Sequence, residues 1–163
     1  MISAWLWHRL KPLLPELSWV TVYETGSCGA NFDGQNYRIW KEMTFDSAIR
    51  LKNAPEGSPL RGIHGHTWAL RLHLNAPLDA VMGWTVDFGD VKALFDPVFK
   101  AIDHRPLFEN DAIDDGDALS LARWVLAEGR AVLPQLDRID VYETRGNGAI
   151  VLASARADEL VPV

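Results

Sequence analysis

The chain of 163 residues is 48% apolar and carries a net charge of −6. That length suits one domain of ordinary size, or one domain and part of another, and the acidity argues against a general nucleic-acid surface while leaving room for a local basic pocket for a small anion. The single cysteine, Cys28, excludes an internal disulfide and fits a reducing compartment, and no apolar run approaches the ~20 residues of a membrane span.

Residues 2–13 read as a helix, with Trp5, Leu6, Leu10 and Leu13 or Leu14 at helical spacing and Pro15 ending the run. No small-residue cleavage site follows an apolar core there, so no leader is read and the expected location is cytoplasmic. Residues 19–25 are rich in β-branched and aromatic types and predict a strand. Residues 26–34 read as a turn-rich loop. Residues 37–45 predict a second strand continuing toward Leu51, and 52–62, with Asn53, Pro55, Gly57 and Pro59, a loop. In residues 64–74 the even positions His66, Trp68, Leu70, Leu72 and Leu74 would share one strand face. A turn near 75–79 and an extended piece over 83–88 come next. Gly89-Asp90 opens a helix with Val91, Leu94, Val98 and Ile102 on one face and Pro97 as a kink candidate. After Asp103 to Leu107 and an acidic loop over 111–116, residues 118–132 predict another helix, 139–144 a strand, 146–148 a turn and 149–154 a closing strand. From Tyr37 the order is β, β, (β), α, α, β, β.

An internal repeat runs through this pattern. Leu14-Pro15-Glu16-Leu17-Ser18-Trp19-Val20-Thr21-Val22-Tyr23-Glu24-Thr25 aligns without gaps on Leu133-Pro134-Gln135-Leu136-Asp137-Arg138-Ile139-Asp140-Val141-Tyr142-Glu143-Thr144. The offset of 119 residues also pairs Trp5 with Trp124 and Gly29-Ala30 with Gly148-Ala149. Residues 1–40 therefore read as the second half of one unit and residues 41–163 as a complete second unit, the pattern of a tandem cut or begun in mid-unit.

The stretch that carries chemistry is His64-Gly65-His66. On a strand the two imidazoles point the same way, about 7 Å apart, and can hold one metal ion. Zinc needs three or four ligands and this motif supplies two; a surface turn with two histidines is the other reading. Gly65 has no side chain on the opposite face, where another backbone could come close.

Three features stand together: His64-Gly65-His66 at a strand start, Asp103-His104 after a helix, and Val141-Tyr142-Glu143-Thr144 near the end. The combination resembles the 6-pyruvoyl/6-carboxytetrahydropterin synthase family over about residues 41–155. The matching pieces are Phe45-Asp46-Ser47-Ala48-Ile49-Arg50-Leu51, Leu60-Arg61-Gly62-Ile63-His64-Gly65-His66, Val86-Asp87-Phe88, Asp103-His104-Arg105-Pro106-Leu107 and Glu143-Thr144.

The resemblance implies an α+β tunnelling fold, a four-stranded antiparallel sheet with two helices on one face, assembled as a homo-oligomeric β-barrel; charge and the lack of a long apolar run add the expectation of no nucleic-acid or membrane partner. It implies a zinc ion at His64 and His66, proton handling by Asp103 and His104, and a carboxylate, Glu143 and by repeat Glu24, that grips a pterin ring through two parallel hydrogen bonds. The substrate would be a dihydroneopterin triphosphate, converted by a lyase of the queuosine-pathway type, with zinc and a phosphate-bound ion such as magnesium. Two family positions depart: the first zinc histidine falls on Ile49 and the catalytic cysteine on Leu60, which leaves the zinc site incomplete. Cys28 lies in no family position. The alternatives are a non-catalytic tandem half that lends strands and a Glu to a site elsewhere, and another pterin-binding enzyme of the fold, of aldolase or cyclohydrolase type. The tryptophans, His8 and His73 read as structural, and Arg50, Arg61 and Lys92 as solvated surface that could also greet a triphosphate.

Overall fold

The computed structural model describes residues 2–76, 87–144 and 146–154. In sequence order these form α1 (Ile2–Leu10), β1 (Val20–Thr25), β2 (Cys28–Phe32), β3 (Tyr37–Ile49), β4 (His64–Ala76), α2 (Phe88–Ile102), the two-residue β5 (Arg105–Pro106), α3 (Ala118–Val132), β6 (Leu136–Thr144) and β7 (Asn147–Leu152). Short 3-10 turns lie at Pro59–Arg61 and Leu107–Glu109. One sheet runs in the order β1-β2-β3-β4-β6-β7 with antiparallel neighbours, and β5 pairs in parallel with Ser47 and Ala48 of β3. The four-stranded sheet expected from the sequence is β3, β4, β6 and β7; the N-terminal hairpin extends it from the outer edge of β3.

The alternation expected in β4 holds. Trp68, Leu70, Leu72 and Leu74 are each at most 1% exposed and pack with Val91, Phe95, Val98 and Ile102 of α2 and Leu121, Val125 and Leu126 of α3. Both helices start on an aspartate. Asp87 accepts from the amides of Gly89 and Asp90, and Asp117 from those of Leu119 and Ser120. Leu94, expected on the apolar face of α2, is instead half exposed, and Phe95 is buried in its place. At roughly 3.6 residues per turn Phe95 lies nearer than Leu94 to the line through Val91, Val98 and Ile102. The helix continues through Pro97.

Residues 26–34, expected as a loop, contain β2. Gly29, Ala30 and Asn31 have weak strand preference of their own, and pairing with β1 on one side and β3 on the other decides their state. Gly29 is there for space: a Cβ would collide with the Val22 carbonyl and the Trp40 ring. Gly148, expected in a turn, is likewise within β7, where a Cβ would collide with the Val141 carbonyl. The expected turn and extended piece over 75–88 fall largely outside the described residues; Asn75 and Ala76 lengthen β4, and Phe88 opens α2.

The repeat has a structural counterpart. In β1–β2, Val20 pairs with Phe32, Val22 with Ala30, Tyr23 with Gly29 and Thr25 with Cys28. In β6–β7, Ile139 pairs with Val151, Val141 with Ala149, Tyr142 with Gly148 and Thr144 with Asn147. Each pair of the first hairpin, moved by 119 residues, is a pair of the second, and both registers slip at the same place, after Tyr23 and after Tyr142. The first hairpin and α1 have a small core of their own, made of Trp7, Val20, Phe32 and Tyr37.

On β3, β4 and β6 the positions between the core residues carry charge. Arg138 donates to both oxygens of Asp140 at 2.5 and 2.8 Å, His73 Nε2 lies 3.2 Å from the same carboxylate, and Arg38 pairs with Asp137. Burial pushes the His73 imidazole below its usual pKa, against the pull of Asp140. Burial alone would raise Asp140; the hydrogen bonds from His73 and Arg138 outweigh it and hold the carboxyl below the usual range.

Candidate functional site

Four elements converge at one end of the sheet. The start of β4 brings His64 and His66, the end of β3 brings Ile49, the end of β6 brings Glu143, and the start of β7 brings Asn147. With Leu51, Leu60, Trp68 and the first residues of α3 they line a half-open cavity of about 450 Å³. His64 and His66 have ring centroids 5.0 Å apart at 73°. His64 Nδ1 is 2.8 Å from the Gly62 carbonyl, so it donates there. His66 Nδ1 contacts Glu143 Oε1, and Glu143 Oε2 accepts from Asn147 Nδ2 at 2.8 Å. Each imidazole therefore spends Nδ1 on an oxygen and keeps Nε2, the arrangement in which a histidine is oriented for a ligand. His66 Nε2 is buried and unpaired, and so is the indole N–H of the neighbouring Trp68.

These donors test the zinc expected from the sequence. His64 and His66 offer two ring nitrogens. Glu143 is on the Nδ1 side of His66 and is not aimed at the same point. The position across β4 from His64 is Ile49, which cannot ligate. Among the described residues no group of three or more His, Cys, Asp or Glu side chains is set to hold an ion. The donor set falls one short of a catalytic zinc centre, and no chemical step is assigned to the metal.

Asp103 and His104 lie elsewhere. Asp103 ends α2, its amide on the Phe99 carbonyl, and His104 follows at φ +54°, the left-handed region. Asp46 holds the corner: its carbonyl accepts from the His104 amide at 2.7 Å and its amide donates to Asp103 Oδ1 at 3.3 Å. His104 Nδ1 is 2.8 Å from Asp103 Oδ1. His104 borders a second cleft of about 440 Å³, lined also by Asp46, Ser47, Thr67 and Arg105, and His66 borders both spaces. The structure thus groups His64, His66 and Glu143 and sets His104, hydrogen-bonded to Asp103, in the adjoining cleft.

Glu24 is not brought to either. It sits on β1, at the opposite edge of the sheet, three strand spacings or about 14 Å from β4, and its carboxylate has no hydrogen-bond or ion-pair partner among the described residues. Cys28 is buried beside the Thr25 hydroxyl, 3.1 Å away. Arg61 is spent on the carbonyls of Ala54 and Lys52.

A family model described as 6-pyruvoyl tetrahydropterin synthase matches residues 38–154. The chain belongs to this family. It is also 29% identical over 111 residues to a dihydroneopterin monophosphate aldolase from Pyrococcus furiosus, across 65% of this chain and 89% of that protein. In structure it is similar to the 6-pyruvoyl tetrahydropterin synthase of Caenorhabditis elegans, with TM-score 0.66 at 18% identity over 73% of this chain and 96% of that one. The enzyme of the same name from Plasmodium falciparum follows at 0.57 and 17%, over 72% and 97%. These likenesses show the tunnelling fold; no helix of the described residues is long and apolar enough to cross a membrane.

Four contributors escape sequence reasoning. Asn147 reads in the sequence only as a turn residue, although its spacing from Glu143 suits a brace across the hairpin. Asp46 and Thr67, paired across β3 and β4 with a 2.5 Å hydrogen bond, stand inside the family-like motifs without a role. Trp68 reads as core alone, and its unpaired N–H has no signal in the sequence.

Proposed function

We propose that this protein binds a dihydroneopterin-type pterin phosphate in the cavity at the start of β4, with Glu143 accepting the two hydrogen bonds of the amino-pyrimidinone edge. The observation that carries this is the placement of Glu143: it is held from the sides by His66 and Asn147 at the wall of a half-open cavity. Each of its oxygens retains a lone pair for a ligand. Leu51, Leu60 and Trp68 supply apolar walls for a flat ring, and the neighbouring cleft with His104 and Arg105 would take the pterin's phosphorylated substituent.

Of the reactions in this fold, a retro-aldol cleavage suits these residues better than the zinc-dependent lyase. The lyase lacks a nitrogen at Ile49 and a thiol at Leu60, and the aldolase relative adds its weight. Cleavage of the C–C bond in the pterin's substituent needs a base for a hydroxyl proton and a proton donor for the substituent carbon left on the ring, the electron pair being held by the ring imine in between. His66 Nε2 and the Asp103–His104 pair are the groups in reach of those tasks.

Fluorescence titration with dihydroneopterin mono- and triphosphate, in the presence of EDTA, tests binding. Glu143→Gln should weaken it by about 10- to 100-fold, the loss of charge-assisted hydrogen bonds. Binding that needs added zinc, or that is indifferent to Glu143→Gln, would sink the reading. Turnover of the monophosphate that disappears in His66→Gln would support the aldolase form.

A further inference from the structure

The first 25 residues carry a surface that the repeat explains. Ile2, Trp5, Leu13, Leu14 and Tyr23 are large apolar residues between 52% and 76% exposed. Their equivalents at an offset of 119 are Leu121, Trp124, Val132, Leu133 and Tyr142. Leu121 is fully buried and Leu133 is 1% exposed; Trp124 and Val132 pack against the main core. Burial comes there from the front half of the unit, β3, β4 and α2, which α1 and β1 lack. The ladder says the same. Tyr142 of β6 is paired with Ala69 of β4, whereas among the described residues β1 pairs only with β2.

We infer that the outer edge of β1, with the exposed face of α1, is the docking site for the front half of a second tunnelling-fold unit, a hairpin and helix equivalent to β3, β4 and α2. Its histidine strand lies antiparallel along β1 in the register that β4 takes on β6. Tyr23 then stands opposite the equivalent of Ala69, and Glu24 beside the equivalent of His66, as the carboxylate of a second pterin site. The ligand in this inference rests on the function proposed for Glu143; the docking does not. A second copy of the same protein cannot supply the half-unit, because its own β3 is already paired with β2, β4 and β5, and its β4 with β3 and β6.

The offset gives the experiment. Residue 120 corresponds to residue 1, so a second copy of residues 37–119 is fused directly ahead of residue 1 of the full-length protein. Hydrogen exchange of the β1 amides should slow by about tenfold or more relative to the parent, tryptophan emission should shift to the blue as Trp5 is covered, and dihydroneopterin triphosphate should bind at two sites rather than one. Glu24→Gln in the fusion should restore single-site binding. Exchange of β1 unchanged from the parent overturns the docking, and so does a fusion that fails to fold, since a docked half-unit would stabilise α1 and β1. In the unaltered protein, protection of β1 that grows with protein concentration also overturns it, by placing a second copy on that edge. Slowed exchange without pterin at either site upholds the docking and overturns the ligand.

Discussion

Across the β3–β4 ladder from His64 stands Ile49, 4% exposed, in the place a third imidazole would take. Directly paired residues on one sheet face have Cβ atoms about 5 Å apart, so Ile49→His should complete a three-nitrogen site with His64 and His66. The variant should retain stoichiometric zinc through dialysis where the parent does not, at a cost of about 1–3 kcal/mol for burying a polar ring. Metal analysis of both proteins decides it, and equal zinc contents would refute the register argument. His73 makes a second residue-scale prediction. Its folded pKa lies below the ordinary value, so the unfolded state binds the extra proton as pH falls below about 6.5. Stability is complete above that value and declines below it, by at most about 1.4 kcal/mol per pH unit. Urea unfolding at a series of pH values should show this slope in the parent, and His73→Gln should reduce it. At this scale the sequence is legible where a residue type has few uses, as in His64-Gly65-His66. It is not legible where a side chain's role depends on a partner across the sheet, as for Asn147 with Glu143 or Asp46 with His104.

Among the elements, β4 and α3 can be read because their apolar positions keep one period from end to end, and α3 has the limits expected for it. β2 cannot, because its small residues are a strand only between two others. The glycines separate the two cases. A methyl on Gly148 meets backbone, the Val141 carbonyl, which cannot step aside, whereas one on Gly65 meets only the Ser47 carbonyl at 4.0 Å. The close backbone approach expected at Gly65 is therefore absent among the described residues. Gly148→Ala should cost about 1–3 kcal/mol, and Gly65→Ala should stay within about 0.5 kcal/mol of the parent. Denaturant titration of the two variants compares them directly. Equal effects would mean that the hairpin backbone at Gly148 yields more easily than its geometry indicates.

In the molecule as a whole, the repeat is visible in the letters, but its consequence for assembly is not. Nothing in the sequence says that β2 pairs with β3, or that the site residues divide between a cavity and a cleft that meet at His66. The two cores also differ in size: four buried residues hold α1 and the first hairpin, against a much larger cluster under β3, β4 and β6. Trp7→Ala, a loss of about 3–5 kcal/mol, should release amide protection in β1 and β2 while β4 and β6 keep theirs. Native-state hydrogen exchange reads both regions in one experiment, and uniform loss across the sheet would show a single cooperative unit instead. The two-residue β5 has a consequence for solubility. It covers Ser47 and Ala48 on the edge of β3 beyond the reach of β2, which covers the same edge from Tyr37 to Lys41. The edge of β3 beside the cavity is thus capped over those residues by short pieces of its own polypeptide against stray strand addition.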